Sequence, residues 1–227
     1  MEYPRITYTM TTGKRFNLFY RTMKSFMETC EDKDLIDRWI ISDDGSNQTD
    51  LKNMKDMYPF FEVYAAPYHG QNNNLNFLFN KVETEWFFHG EDDWLYLKRD
   101  HYIRKMFDVI NTDPKIKNIT LRPWIGDIRC LPETDVYYNI HHYKPGAGSM
   151  KSTNCEWFGY SLNPGLQNKP LLDHFGPYPS EFNGKGAYAR YWDRTHAQQY
   201  MEEGYTAANL VGPYIEHIGW EDSTYGA

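Results

Sequence analysis

"RITYTMTTGKRFNLFYRTMKSFMETC", residues 5–30, carries two periods in succession. Residues 5–10 alternate and are rich in β-forming side chains; "TTGK" then breaks the pattern, and Phe16, Phe19, Met23, Phe26, Met27 and Cys30 recur on one helical face. A switch from period two to period 3.6 across a polar turn is a β-turn-α unit. The same unit returns. "DRWIIS" (37–42) predicts a short buried strand, "DDGSNQTD" (43–50) a turn, and "LKNMKDMY" (51–58) a helix that Asp50 would cap. "FEVYAA" (61–66) predicts a third strand, and "NLNFLFNKV" (74–82) a helix presenting Leu75, Leu78, Phe79 and Val82. "WFFH" (86–89) predicts a fourth strand, "HYIRKMFDVI" (101–110) a helix stopped by "NTDP", and "KNITLRPW" (117–124) a fifth strand. Strands and helices alternating at these lengths imply an α/β fold, with a mainly parallel central sheet flanked by helices. Ligands in such sheets sit at the strand carboxyl ends. The loops "TMTTGKR", "SDDGS" and "HGEDDW" all fall there.

The second half is less regular. "HHYKPGAGSMKSTN" (141–154) predicts a mobile loop, "CEWFGYSL" (155–162) a strand, "GAYARYWDRTHAQQYMEEGY" (186–205) a helix and "PYIEHIGWED" (213–222) a last strand and loop. With no repeat or low-complexity linker, a single domain over 1–227 is expected.

Composition sets the outer limits. The 227 residues are 41% apolar and 17% aromatic, with 19 Tyr, 13 Phe and 7 Trp. That aromatic share suits either a packed core or a site for sugar or nucleoside rings. The net charge of −7, with no long basic run, lacks the footprint of a nucleic-acid binder. Cys30, Cys130 and Cys155 form neither a disulfide framework nor a zinc motif, and no apolar run approaches a membrane span. A soluble, cytoplasmic chain is expected. Asn47-Gln-Thr and Asn118-Ile-Thr match the glycosylation pattern as chance occurrences.

The fourth strand runs into three consecutive carboxylates, Glu91, Asp92 and Asp93. Like charges beside an apolar wall require a counter-charge. Alternation along an extended chain lets Glu91 and Asp93 face one ligand while Asp92 points elsewhere, and oxygen-only ligation suits Mg²⁺ or Mn²⁺. The competing explanation is an acidic cap on a following helix. Asp44, after the second strand, suits either base or ribose recognition or plain turn chemistry. Thr9, Thr11, Thr12, Lys14 and Arg15 supply hydroxyls and cations at a helix start, without the spacing of a Walker loop or of a dinucleotide fingerprint. His217 is the histidine that a last strand of the sheet would bring beside the carboxylates, ahead of His89.

In this order, "TMTTGKRF", "SDDGS", "GQNNNLN" and "HGEDDW", resumed at "HIGWEDS", resemble the GT-A glycosyltransferases, the nucleotide-diphospho-sugar transferase superfamily that includes family 2-like enzymes. The resemblance implies a nucleotide-sugar-binding half over 1–125 and an acceptor-binding half over 126–227. It implies Thr9, Thr11, Arg15, Asp44, Asn76 and Asp92 as donor-binding residues, with Asp92 facing ribose or donor sugar. Glu91, Asp93 and His217 become ligands of Mn²⁺ or Mg²⁺, Glu91 standing where the family's motif usually begins with Asp. The implied reaction moves a sugar from a UDP- or GDP-sugar to a hydroxyl of a glycan or glycoconjugate, with Glu181, then Asp193, as candidate general base. The alternatives are a sugar-nucleotide nucleotidyltransferase, disfavoured by the single glycine of "TMTTGKRF", and a metal-dependent carbohydrate-binding module without turnover.

Overall fold

The computed structural model describes residues 2–67, 69–122, 133–135, 140–142, 160–179, 196–197, 199–200, 202–210 and 212–219. The first half alternates as the periodicity demands. Strand β1 (Ile6–Thr12) leads to helix α1 (Phe16–Thr29), β2 (Ile36–Asp43) to α2 (Gln48–Met57), and β3 (Phe61–Ala65) to α3 (Gln71–Phe79). Then come β4 (Trp86–Glu91), β5 (Trp94–Tyr96), α4 (Tyr102–Ile110) and β6 (Ile116–Thr120). Short β7 (Glu133–Asp135) and β8 (Ile140–His142) pair with each other, followed by β9 (Gly165–Asn168), α5 (Lys169–Phe175), β10 (Thr206–Asn209) and β11 (Ile215–His217).

Seven strands form one sheet in the order β10-β6-β9-β4-β1-β2-β3. Its pairings are parallel except where β9 lies antiparallel between β4 and β6. That insertion depends on Gly165, because a Cβ there would lie 2.0 Å from the Ile119 carbonyl oxygen. One face of the sheet packs Tyr8, Met10, Phe88 and Ile119 against Phe19, Met23 and Phe26 of α1 and Ile103 and Phe107 of α4. The other buries Ile40 and Phe87 against Leu75, Leu78 and Phe79 of α3 and Leu171 and Leu172 of α5. Much of the aromatic surplus is therefore core: Tyr8 stacks on Phe88 at 5.6 Å and Phe26 meets Tyr96 edge-on at 4.9 Å.

Several expectations are corrected. Helix α2 is capped by Asn47, whose side chain accepts the Asp50 N–H while its amide donates to the Asp50 carboxylate. The following element after the carboxylates is strand β5, with α4 starting only at Tyr102, so the acidic residues cap no helix. Residues 160–162 are not strand; the strand lies three residues later, in β9. His141 and His142 belong to β8 rather than to a loop. The last strand, β11, pairs antiparallel with β5 in a separate two-stranded ribbon and not with the main sheet. Asn118 is buried and donates to the Ser161 carbonyl, so its sequon is closed to modification. Most of the helix expected over 186–205 lies outside the described residues. Among those described, no helix is long and apolar enough to cross a membrane.

Candidate nucleotide-sugar site

A cavity of about 380 Å³ opens at the carboxyl ends of β1, β2 and β4. Thr11 to Arg15 form one wall, Asp44 and His69 a second, Gln71 and Asn74 of α3 a third, and Glu91, Asp93, His217 and Gly219 the fourth. Its loops are tied to one another. Asp43 accepts from the Ser46 N–H and hydroxyl at 2.7 and 2.6 Å, and that hydroxyl accepts the Lys14 N–H at 2.8 Å. The Asp44 N–H donates to the Thr12 carbonyl, and a Cβ on Gly13 would touch the Asp44 carbonyl oxygen at 3.0 Å. Ser42, at the end of β2, donates to Asn74.

The three carboxylates separate, but in a turn: Glu91 ends β4, and Asp92 and Asp93 lie between it and β5. Asp92 is fully buried and turns inward, accepting from the Thr12 hydroxyl at 2.8 Å and from Arg15. Glu91 and Asp93 face the cavity. The first counter-charge is Arg15 itself, which bridges Asp92 and Asp93, with Nη1 3.0 Å from Asp93 Oδ2. His217 Nε2 approaches the same oxygen at 3.4 Å. The β5–β11 ribbon holds it there: Trp94 pairs with His217, their rings meet at 4.9 Å, and the Ile218 N–H donates to the Asp93 carbonyl. Gly219 permits this closure, since a Cβ would fall 2.6 Å from the Asp93 Cβ and Oδ2.

One arginine does not balance three carboxylates. Burial pushes the Asp92 carboxyl up to about 6 despite Arg15, with Asp93 adding to the rise. Burial and then the Asp93 charge also raise Glu91, although the Trp94 indole N–H donates to it at 3.1 Å. For Asp93, burial acts upward too, but the hydrogen bond with His217 and the Arg15 charge prevail and hold it below the ordinary carboxylate range. The cavity thus sets side by side two carboxyls whose proton affinities are shifted in opposite directions.

Of the expected donor-binding residues, Thr11, Arg15 and Asp44 line the cavity. Thr9 does not: it lies buried one strand step below, its hydroxyl 3.0 Å from His89 Nδ1. Asn76 points away, exchanging two 2.8 Å hydrogen bonds with the Tyr178 backbone. Asp92 faces protein instead of ribose. His89, buried and neutral, has its pKa lowered to about 3 by burial. Glu181 and Asp193 lie outside the described residues, as do Cys130 and Cys155; Cys30 is buried. The cavity also takes in His69, Gln71, Asn74 and Gly219, which no sequence signal marked individually. Gln71 and Asn74 sit within "GQNNNLN" and Gly219 within "HIGWEDS", but only His217 carried a recognisable metal-binding chemistry there.

The mainly parallel sheet, the crossovers and a cleft at these strand ends define the GT-A fold of nucleotide-sugar glycosyltransferases. Solved structures bear this out at the level of the fold. The S. aureus TarS fragment 1–349 is 14% identical with a TM-score of 0.66, matching 96% of this chain and 62% of that one. The mannosyltransferase PcManGT from Pyrobaculum calidifontis, in complex with GDP-Man and Mn²⁺, is 15% identical with a TM-score of 0.67, matching 99% of this chain and 59% of that one. TarS 1–349 in complex with UDP-GlcNAc is 16% identical with a TM-score of 0.60, over 95% and 61% of the two chains. This chain therefore spans about three fifths of the length of the structures it matches. No protein-family model and no curated protein matches its sequence.

Proposed function

We propose that the chain transfers a sugar from a UDP- or GDP-sugar to a hydroxyl of a glycan or glycoconjugate acceptor. The observation that carries this reading is the cavity in which Lys14 and Arg15, Asp44, and the Glu91–Asp93–His217 wall converge at the carboxyl ends of three adjacent strands. In a chain of net charge −7, cations gathered beside the start of α1 suit a diphosphate. The complexes of PcManGT with GDP-Man and of TarS with UDP-GlcNAc support a donor of this class. On this reading residues 1–125 hold the donor and 126–227 meet the acceptor.

The donor set suits a hard divalent cation in kind. Two carboxylates and an imidazole face one cavity, where burial and then the Asp93 charge raise Glu91. Among the described residues, however, no three His, Cys, Asp or Glu side chains stand close enough to hold an ion. Asp93 and His217, with Oδ2 and Nε2 3.4 Å apart, and Glu91 on the same wall are the residues that would hold Mn²⁺ or Mg²⁺ if their side chains closed on it, and the ion would supply Lewis-acid stabilisation of a leaving nucleoside diphosphate. Arg15 bridges Asp92 and Asp93, which leaves Lys14 on the same wall as the chain's own cation for the diphosphate. Thr11 and the backbone of the Gly13 turn line the same wall. Glu181, then Asp193, is the proposed base taking the acceptor proton.

The test is a panel of nucleotide sugars with and without Mn²⁺, read by donor hydrolysis and by equilibrium binding. Binding of a UDP- or GDP-sugar with slow hydrolysis is expected. Binding of the free sugar but not of the nucleotide would establish a carbohydrate-binding module instead.

A further inference from the structure

We propose that His69 reads the nucleobase of the donor, and that Asp44 acts largely by holding it; this rests on the transferase reading above. Both Asp44 oxygens are engaged by the turn that precedes α3. His69 Nδ1 lies 2.7 Å from Oδ1, and the Gly70 N–H donates to Oδ2 at 3.0 Å. An ionised carboxylate only accepts, so the proton of this contact sits on Nδ1, and in the neutral ring Nε2 is an acceptor. The imidazole lines the cavity with its side chain 81% exposed. It lies over Gly45, which has a φ of +83° and no side chain; a Cβ there would stand 3.4 Å from His69 Cε1, so the glycine leaves room for the ring. The Asn73 amide fixes the His69 carbonyl at 3.1 Å from the helix side.

An acceptor presented to the cavity selects a base that offers a ring N–H. Uracil and guanine carry an imide-type N–H on that edge, whereas cytosine and adenine carry an unprotonated ring nitrogen, so the first pair is favoured. The charged groups packed about the ring are Asp44, on the loop after β2, and Lys14, on the loop after β1, whose Cε would lie 3.2 Å from a Cβ on Gly45.

Calorimetric titration of the full chain with UDP, GDP, CDP and ADP tests this. Wild type is expected to bind UDP or GDP at least about tenfold more tightly than CDP or ADP, the equivalent of one hydrogen bond. His69→Ala should abolish the preference. His69→Gln, which keeps a side-chain acceptor, should retain part of it. Comparison within these variants separates His69 from His217, which lines the same cavity. Wild-type preference in His69→Ala would overturn the inference alone. A wild-type protein that binds none of the four nucleotides would overturn the transferase reading, and this inference with it.

Discussion

Two buried aspartates in this molecule each meet an arginine, and they are left in opposite conditions. Asp32 accepts from the N–H groups of Ile103 and Arg104 at 2.8 and 3.0 Å, from His101 Nδ1 at 2.8 Å and from the Arg104 guanidinium. Its charge sits at the N-terminus of α4, where the helix dipole favours it, and every partner is a donor. Asp92 has the Thr12 hydroxyl and Arg15, but also Glu91 and Asp93 as neighbours in sequence. Burial therefore raises it to about 6. A buried carboxylate met by the first N–H groups of a helix serves the architecture, even though its arginine is shared with Asp34, whereas carboxylates gathered beside a cavity are kept for a ligand.

The largest effect expected from this contrast is at Asp93. Asp93→Asn removes one charge without changing shape, and should reduce donor turnover by about 10²–10³-fold, as losing one preorganised electrostatic partner does elsewhere. Far-ultraviolet circular dichroism should stay unchanged. Wild-type hydrolysis of a UDP- or GDP-sugar by this variant would break the assignment.

Next is the pH dependence of stability. Asp92 rises from its ordinary 3.8 to about 6, so the folded state binds its proton more tightly than the unfolded chain. The sign follows: the fold is penalised as pH climbs past the unfolded value, with the full penalty present above about 6. At about 1.4 kcal/mol per unit, the contribution is at most about 3 kcal/mol, developing between about pH 4 and pH 6. Urea titrations across that window should show a larger change in wild type than in Asp92→Asn, where the raised Glu91 still contributes with the same sign. A flat wild-type profile would mean that Arg15 offsets the burial of Asp92.

Asp32→Ala should do the reverse of Asp93→Asn. It leaves the first N–H groups of α4 without an acceptor, costing about 1–3 kcal/mol of stability. Donor affinity should be unaffected in the folded fraction. Loss of donor binding at unchanged stability would dissolve the distinction between the two clusters.

The smallest effect expected is at Gly219, the residue that lets β11 close on Asp93. Gly219→Ala overpacks that contact, at about 1 kcal/mol, and should weaken donor binding by displacing His217. Unchanged melting and unchanged binding would show that the closure has slack.

Apart from β5, which no apolar run announces, the strand and helix order from Ile6 to Thr120 was legible because the chain there obeys one period at a time, apolar faces repeating at 3.6 along the helices and dense apolar runs marking the strands. That order, and the polar loops at the strand carboxyl ends, were enough to imply the mainly parallel sheet and the position of its cleft. The sequence also separated Glu91 and Asp93 from Asp92, although it is the turn between β4 and β5, not an extended chain, that turns Asp92 inward. Tertiary structure alone decided the rest. Strand β9 is four residues long, begins with a glycine and buries Gln167 and Asn168, so no apolar pattern announces it; its place between β4 and β6 depends on a close approach at Gly165. Arg15 as the partner of both Asp92 and Asp93 joins residues 77 and 78 positions apart. Nothing in the spacing of the charges showed that a guanidinium, rather than a metal ion alone, would answer them. His69 on Asp44, and His217 brought to Asp93 by a two-stranded ribbon outside the main sheet, are contacts of the same kind. Periodicity records which face of an element is buried, but which charged groups then meet across elements is set by how the elements pack.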